Sequence, residues 1–156
     1  MRLLLLGAAL AFAGCTPGSF ALASSGGTTG ITGNIVTIDV DLTKDPGGST
    51  PGGNGRGYSP LATMLAIGDG VRFHNSDGFA HTATAVPGDP SAFPTNYPFT
   101  SAALTQTASK LSQGFSSGNL TAGSTSQTLL ADKAGTYLFG CFYHYGTPMR
   151  AAIVVR

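Results

Sequence analysis

The chain has 156 residues, 23 of them glycine, with no tryptophan and no glutamate. Charged residues make up 10% and nearly cancel, leaving a formal net charge of +1. That balance excludes a basic nucleic-acid binder and a polybasic membrane binder, and it leaves little for electrostatic steering of any partner.

The first stretch, "MRLLLLGAALAFAGC", carries one positive charge at Arg2 and an apolar run from Leu3 to Ala13. It reads as a secretory signal, too short for a stable bilayer span. Two exits compete. "FAGC" is similar to a bacterial lipobox, so that residues 1–15 form the signal and Cys15 becomes a lipid anchor. Alternatively, "ALA" at 21–23 is an ordinary cleavage site, and cleavage after residue 23 discards Cys15. Either route implies export to a periplasm or to the outer side of a membrane. Loss of Arg2 leaves seven basic against seven acidic residues. Cys141 is then the lone thiol of the folded part, which needs a shelter or a task in an oxidising compartment.

Residues 16–33 read as a flexible linker rich in Gly, Ser and Thr. The folded domain is expected over 34–156. In "NIVTIDVDLT", Val36, Ile38, Val40 and Leu42 alternate with polar partners, a period-two strand with that set facing the core. Residues 44–60 hold so many breakers that a long loop is expected. Val71 to Asn75 and Ala80 to Val86 read as strands around a turn at Ser76-Asp77-Gly78. Residues 87–118 read as an excursion with one short helix near Ala102 to Leu111. "TSQTLLA", "TYLFGC" and "RAAIVV" complete the strands. Short strands at turn-punctuated spacing predict an all-β sandwich of about seven to eight strands.

Cys141, His144 and Met149 lie within nine positions of each other. Fully extended, Cys141 and Met149 would stand roughly 26 Å apart, so they share a site only if Gly146, Thr147 and Pro148 turn the chain back. Thiolate, imidazole and thioether form a soft donor set suited to copper, and a blue-copper centre needs a second histidine. His74 alternates outward from Val71 and Phe73 and reads as a surface residue. His81, after the turn, is the better fourth ligand. Phe79, Tyr137 and Phe139 read as core packing. Phe142, Tyr145 and Pro148 are expected to frame the edge of His144.

Two segments carry a resemblance. "FHNSDGFAH" matches F-x-N-x-x-G-F-x-H at Phe73, Asn75, Gly78, Phe79 and His81. "GTYLFGCFYHYGTPM" matches G-T-Y-x-[FY]-x-C-x-x-H-x-x-x-x-M at Gly135, Thr136, Tyr137, Phe139, Cys141, His144 and Met149. Both signatures resemble those of the cupredoxins, of the plastocyanin/azurin-like type. The chain departs from the pattern at Phe142 and Tyr143, in a longer 87–118 excursion, and in having no acidic patch. The resemblance implies a Greek-key β-sandwich with one type 1 copper, cycling between Cu(I) and Cu(II), on His81, Cys141, His144 and Met149. It also implies a one-electron carrier, not an enzyme, and a Thr82 amide aimed at the cysteine sulfur. Redox proteins would dock near His144, with no nucleic acid or small-molecule substrate and a monomeric state. Two other classes are weighed against this: a subunit or domain of a copper oxidase or nitrite reductase-type enzyme, and a periplasmic copper delivery protein. The first needs a second copper and more histidines than His74 supplies. The second usually displays Met- and His-rich stretches, which three Met and three His do not provide.

Overall fold

A computed structural model describes residues 30–156, and within them the chain is strands, turns and two single-turn 3-10 helices. The signal, the lipobox at Cys15, the alternative cleavage site and most of the expected linker lie outside the described residues. Thr32 and Gly33 already donate backbone hydrogen bonds to Gly68. Among the described residues, hydrogen bonding to the folded part thus includes two residues before position 34.

Among the described residues, twelve strands occur in chain order. They are β1 (Ile35–Val40), β2 (Gly48–Thr50), β3 (Gly53–Gly55), β4 (Tyr58–Ser59), β5 (Ala62–Leu65) and β6 (Gly70–Asn75). After them come β7 (Thr84–Ala85), β8 (Gln106–Thr107), β9 (Ser116–Ser117), β10 (Leu129–Leu130), β11 (Gly135–Gly140) and β12 (Arg150–Val155). The number exceeds expectation because several are two- or three-residue pairings. One sheet runs β10-β6-β1-β4, the other β5-β12-β11-β7-β9-β8, and β2 with β3 forms a separate ribbon. β1 lies parallel to β6, from Ile35 opposite Gly70 to Val40 opposite Asn75. β11 and β12 run antiparallel, from Gly135 opposite Val155 to Gly140 opposite Arg150.

The period-two pattern of β1 does what alternation dictates. Ile38 and Val40 are fully buried, and Val36 and Leu42 pack against the same core. Val71 and Phe73 of β6 meet Phe139, Ala151 and Ile153 from the opposite sheet. Tyr58 and Phe139 make an edge contact with ring centroids 4.8 Å apart, and Phe73 lies 5.2 Å from Phe139. Side chains of this size each contribute about 1.5–3 kcal/mol when fully buried.

Four expectations need correction. The 44–60 segment is not simply loop: it holds the β2–β3 ribbon and β4. Glycine permits this, because a Cβ at Gly55 would stand 2.1 Å from the Arg150 carbonyl oxygen. No helix spans 102–111. Ser101–Leu104 and Leu111–Gln113 each make one 3-10 turn, with β8 between them. Ala108 there takes a left-handed φ of 64°, which no continuous helix tolerates, and β8 pairs with β9 at the sheet edge. The strand expected over 80–86 shrinks to Thr84–Ala85, with His81 joined to Leu120 by an isolated bridge. Similarly, only Leu129–Leu130 of "TSQTLLA" pairs as a strand.

Candidate metal centre

Three chain segments meet at the end of the sandwich where β6 exits and β11 hands over to β12. The first is the turn after β6. Asn75 ends that strand facing inward, fully buried. Its amide nitrogen donates to the Phe79 carbonyl (2.7 Å) and the Leu120 carbonyl (2.9 Å), and its carbonyl accepts from the Asp77 amide (3.0 Å). This buried amide thus shapes the turn and anchors it to the 120 region. His81 follows, also fully buried, exchanging backbone hydrogen bonds with Leu120 at 3.0 and 2.8 Å.

The second segment is the end of β11. The Cys141 side chain is a free, fully buried thiol, and burial pushes its pKa up despite amide hydrogen bonds to the sulfur. The Thr82 amide donates to Cys141 Sγ at 3.4 Å, as the resemblance implies. Thr82 Oγ1 accepts from the Phe142 amide at 2.9 Å, and the Thr82 carbonyl accepts from the Tyr58 hydroxyl at 2.5 Å. One threonine therefore ties both segments together.

The third segment is the loop 141–149. The His144 carbonyl accepts from the Thr147 amide (3.0 Å), the Met149 amide (3.1 Å) and the Thr147 hydroxyl (2.8 Å). The Cys141 amide donates to the Met149 carbonyl at 3.0 Å, closing the loop. The turn expected at Gly146-Thr147-Pro148 is thus what brings position 149 back to position 141. Met149 is fully buried and lies against Gly57, whose φ is +79°.

Among the described residues, His81, Cys141 and His144 are the one group with metal-ligand chemistry converging. His81 Nδ1 and His144 Nδ1 stand 3.1 Å apart, and Cys141 Sγ is 3.7 and 3.6 Å from them. Ligands about 2.0–2.3 Å from a common centre span such a triangle at roughly 100° between nitrogens and 115° between nitrogen and sulfur. The donor set and its dimensions fit a single small metal ion. His144 is half-buried, and burial followed by the neighbouring His81 lowers its pKa, favouring the neutral imidazole that binds metal. His74 stands apart: its Nδ1 pairs with Thr125 Oγ1 at 3.0 Å.

A carboxylate not expected from the sequence motifs lies beside the site. His81 Nε2 lies 3.0 Å from Asp77 Oδ2, with both side chains almost wholly excluded from solvent. Burial pushes the Asp77 carboxyl up, but hydrogen bonds from His81 and from the amides of Leu42, Phe79 and Gly78 outweigh it and hold its pKa low. The available signal was the four-residue spacing of Asp77 and His81 across a tight turn.

The surroundings also depart from expectation. Phe79, expected in the core, is 67% exposed, because its backbone is held by Asn75 while its side chain projects from the turn. Tyr145, expected on the rim, is buried: it packs edge-on against Phe99 at 5.4 Å, and the Arg150 guanidinium covers its ring at 4.4 Å. Tyr143 is the exposed aromatic beside His144, with Phe142 and Pro148 half-buried.

No protein-family model matches the sequence, and no curated protein matches it either. Solved structures do match. A purple cupredoxin from Nitrosopumilus maritimus is 18% identical with a TM-score of 0.50, the match covering 78% of this chain and 99% of that one. A mutant fern plastocyanin is 17% identical with a TM-score of 0.48, over 78% of this chain and 100% of its own. Reduced auracyanin from Roseiflexus castenholzii is 18% identical with a TM-score of 0.46, over 79% and 96%. With two sheets packed around one apolar core, and with a match spanning nearly all of the Nitrosopumilus protein, this chain has the cupredoxin fold.

Proposed function

We propose that this protein is a one-electron carrier with a single mononuclear type 1 copper held by His81, Cys141, His144 and Met149. The observation that carries the proposal is the triangle of two imidazole nitrogens and one thiol sulfur, 3.1–3.7 Å on its edges, inside a cupredoxin fold. Copper bound there supplies the one-electron exchange between Cu(I) and Cu(II).

The chain's own residues do the rest. His81, Cys141 and Met149 are fully buried, which keeps water from the donors. Thr82 and the three donors on the His144 carbonyl hold the segments in one geometry, so little rearrangement accompanies a change of charge. Half-buried His144 is the donor nearest solvent and so the natural exit for the electron. Around it, Phe142, Tyr143 and Pro148 form a neutral rim suited to brief, small-area docking of redox proteins. The protein acts as an exported monomer without a substrate of its own, held at the membrane if Cys15 carries a lipid.

The visible spectrum and metal content of the purified, oxidised protein test this. An intense blue thiolate-to-copper band and one copper per chain are expected, and Cys141→Ser should abolish the colour. Colour and copper stoichiometry unchanged in that variant would overturn the proposal. Two coppers per chain would favour the oxidase or nitrite reductase-type alternative. Ready loss of copper to chelators would favour delivery.

A further inference from the structure

The Asp77–His81 pair is more than a structural contact. We propose that Asp77 is a positioning residue: its carboxylate holds His81 in the Nε2–H tautomer, aims the Nδ1 lone pair into the donor triangle, and by its buried negative charge favours oxidised over reduced copper. This rests on the copper reading above for its redox part, but not for its tautomer part.

The geometry carries the first half. An ionised carboxylate only accepts hydrogen bonds, so the imidazole nitrogen 3.0 Å from Asp77 Oδ2 bears the proton. In a neutral ring, Nδ1 then carries the lone pair, and Nδ1 is the atom facing Cys141 Sγ and His144 Nδ1. The carboxylate is itself immobilised. Oδ2 also accepts from the Leu42 amide (3.0 Å), Oδ1 accepts from the Phe79 amide (3.4 Å), and the Asp77 amide is fixed by Asn75. The chain thereby links the end of β1, the turn after β6 and His81. The second half follows from charge. A carboxylate that accepts from a metal-bound imidazole increases the ring's basicity, and a negative charge shielded from solvent stabilises the ion of higher positive charge.

Two substitutions separate the parts. Asp77→Asn keeps a carbonyl oxygen able to accept from both His81 and Leu42, and removes the charge. Asp77→Ala removes the acceptor as well. Nitrogen-15 NMR of the metal-free protein reads the tautomer directly. The expected result is Nε2–H at His81 in the native protein and in Asp77→Asn, but mixed tautomers in Asp77→Ala. In the copper-loaded protein, Asp77→Asn should raise the reduction potential by about 59 mV or more, a tenfold gain in preference for Cu(I) over Cu(II). An unchanged tautomer in Asp77→Ala overturns the positioning role, and an unchanged potential in Asp77→Asn overturns the charge role. If the native protein takes up no copper, the proposed function fails and the charge role falls with it. The NMR measurement still decides whether Asp77 orients His81.

Discussion

At the scale of single residues, the site depends on atoms with no metal chemistry of their own. Thr82 spends its amide on the Cys141 sulfur, its hydroxyl on Phe142 and its carbonyl on Tyr58. Gly57 matters through what it lacks. A Cβ there would stand 2.7 Å from Met149 Cγ and 3.2 Å from its Sδ, at a φ of +79° that side chains rarely adopt. Gly57→Ala is therefore expected to displace Met149 and to destabilise the protein by about 1–3 kcal/mol through overpacking and backbone strain. Copper spectra and urea unfolding would show it. Gly146→Ala, in the 141–149 loop that carries Met149 but with nothing within 4 Å of its added Cβ, should leave both nearly unchanged.

At the scale of elements, the long strands were legible from sequence and the short pairings were not. Alternation marks Ile38, Val40, Val71 and Phe73 because a period-two signal accumulates over six residues. It cannot mark β7 or β10, which are two residues long and exist because a distant strand offers hydrogen bonds. Distant pairing also displaces the expected helix. "SAALTQTASKL" has helical spacing in places, but pairing of Gln106 and Thr107 with β9 overrides it. The turn from β6 to His81 depends on Asn75, whose side chain makes three buried or partly buried hydrogen bonds. Asn75→Ala should cost at least about 1–3 kcal/mol, the penalty for one buried polar partner left unsatisfied, and should weaken copper retention by freeing His81. Phe79→Ala, in the same turn but exposed, should stay within about 0.5 kcal/mol of native. Equal effects of the two substitutions in denaturant unfolding would contradict this account.

At the scale of the whole molecule, aspartates carry the carboxylate part of the acid response, since all seven acidic residues are aspartate. Asp41, Asp77, Asp89 and Asp132 all have pKa values below the ordinary range. For Asp41 the leading cause is the bond from Lys44, at 2.7 Å, opposed by burial and supported by Thr43. A depressed native pKa means stability that is fully present above the unfolded value of 3.8 and is lost as pH falls towards the native one. Urea midpoints measured at about pH 5 and about pH 2.5 should therefore fall for the native protein, and fall less for Asp41→Asn. A larger fall in the variant would mean that the native Asp41 pKa is not depressed.

By itself, the sequence determined the all-β class, the inward faces of β1 and β6, and the order and spacing of His81, Cys141, His144 and Met149. These are local signals, written in alternation and in short intervals that any fold of the chain must respect. Only the tertiary structure decided that Asp77 holds His81, that Gly57 backs Met149, that Tyr145 turns inward and that Phe79 turns out. Each of those depends on which partner lies across a gap between distant segments. Hydrogen bonding and close packing between distant segments settle that choice, and no local residue pattern encodes them.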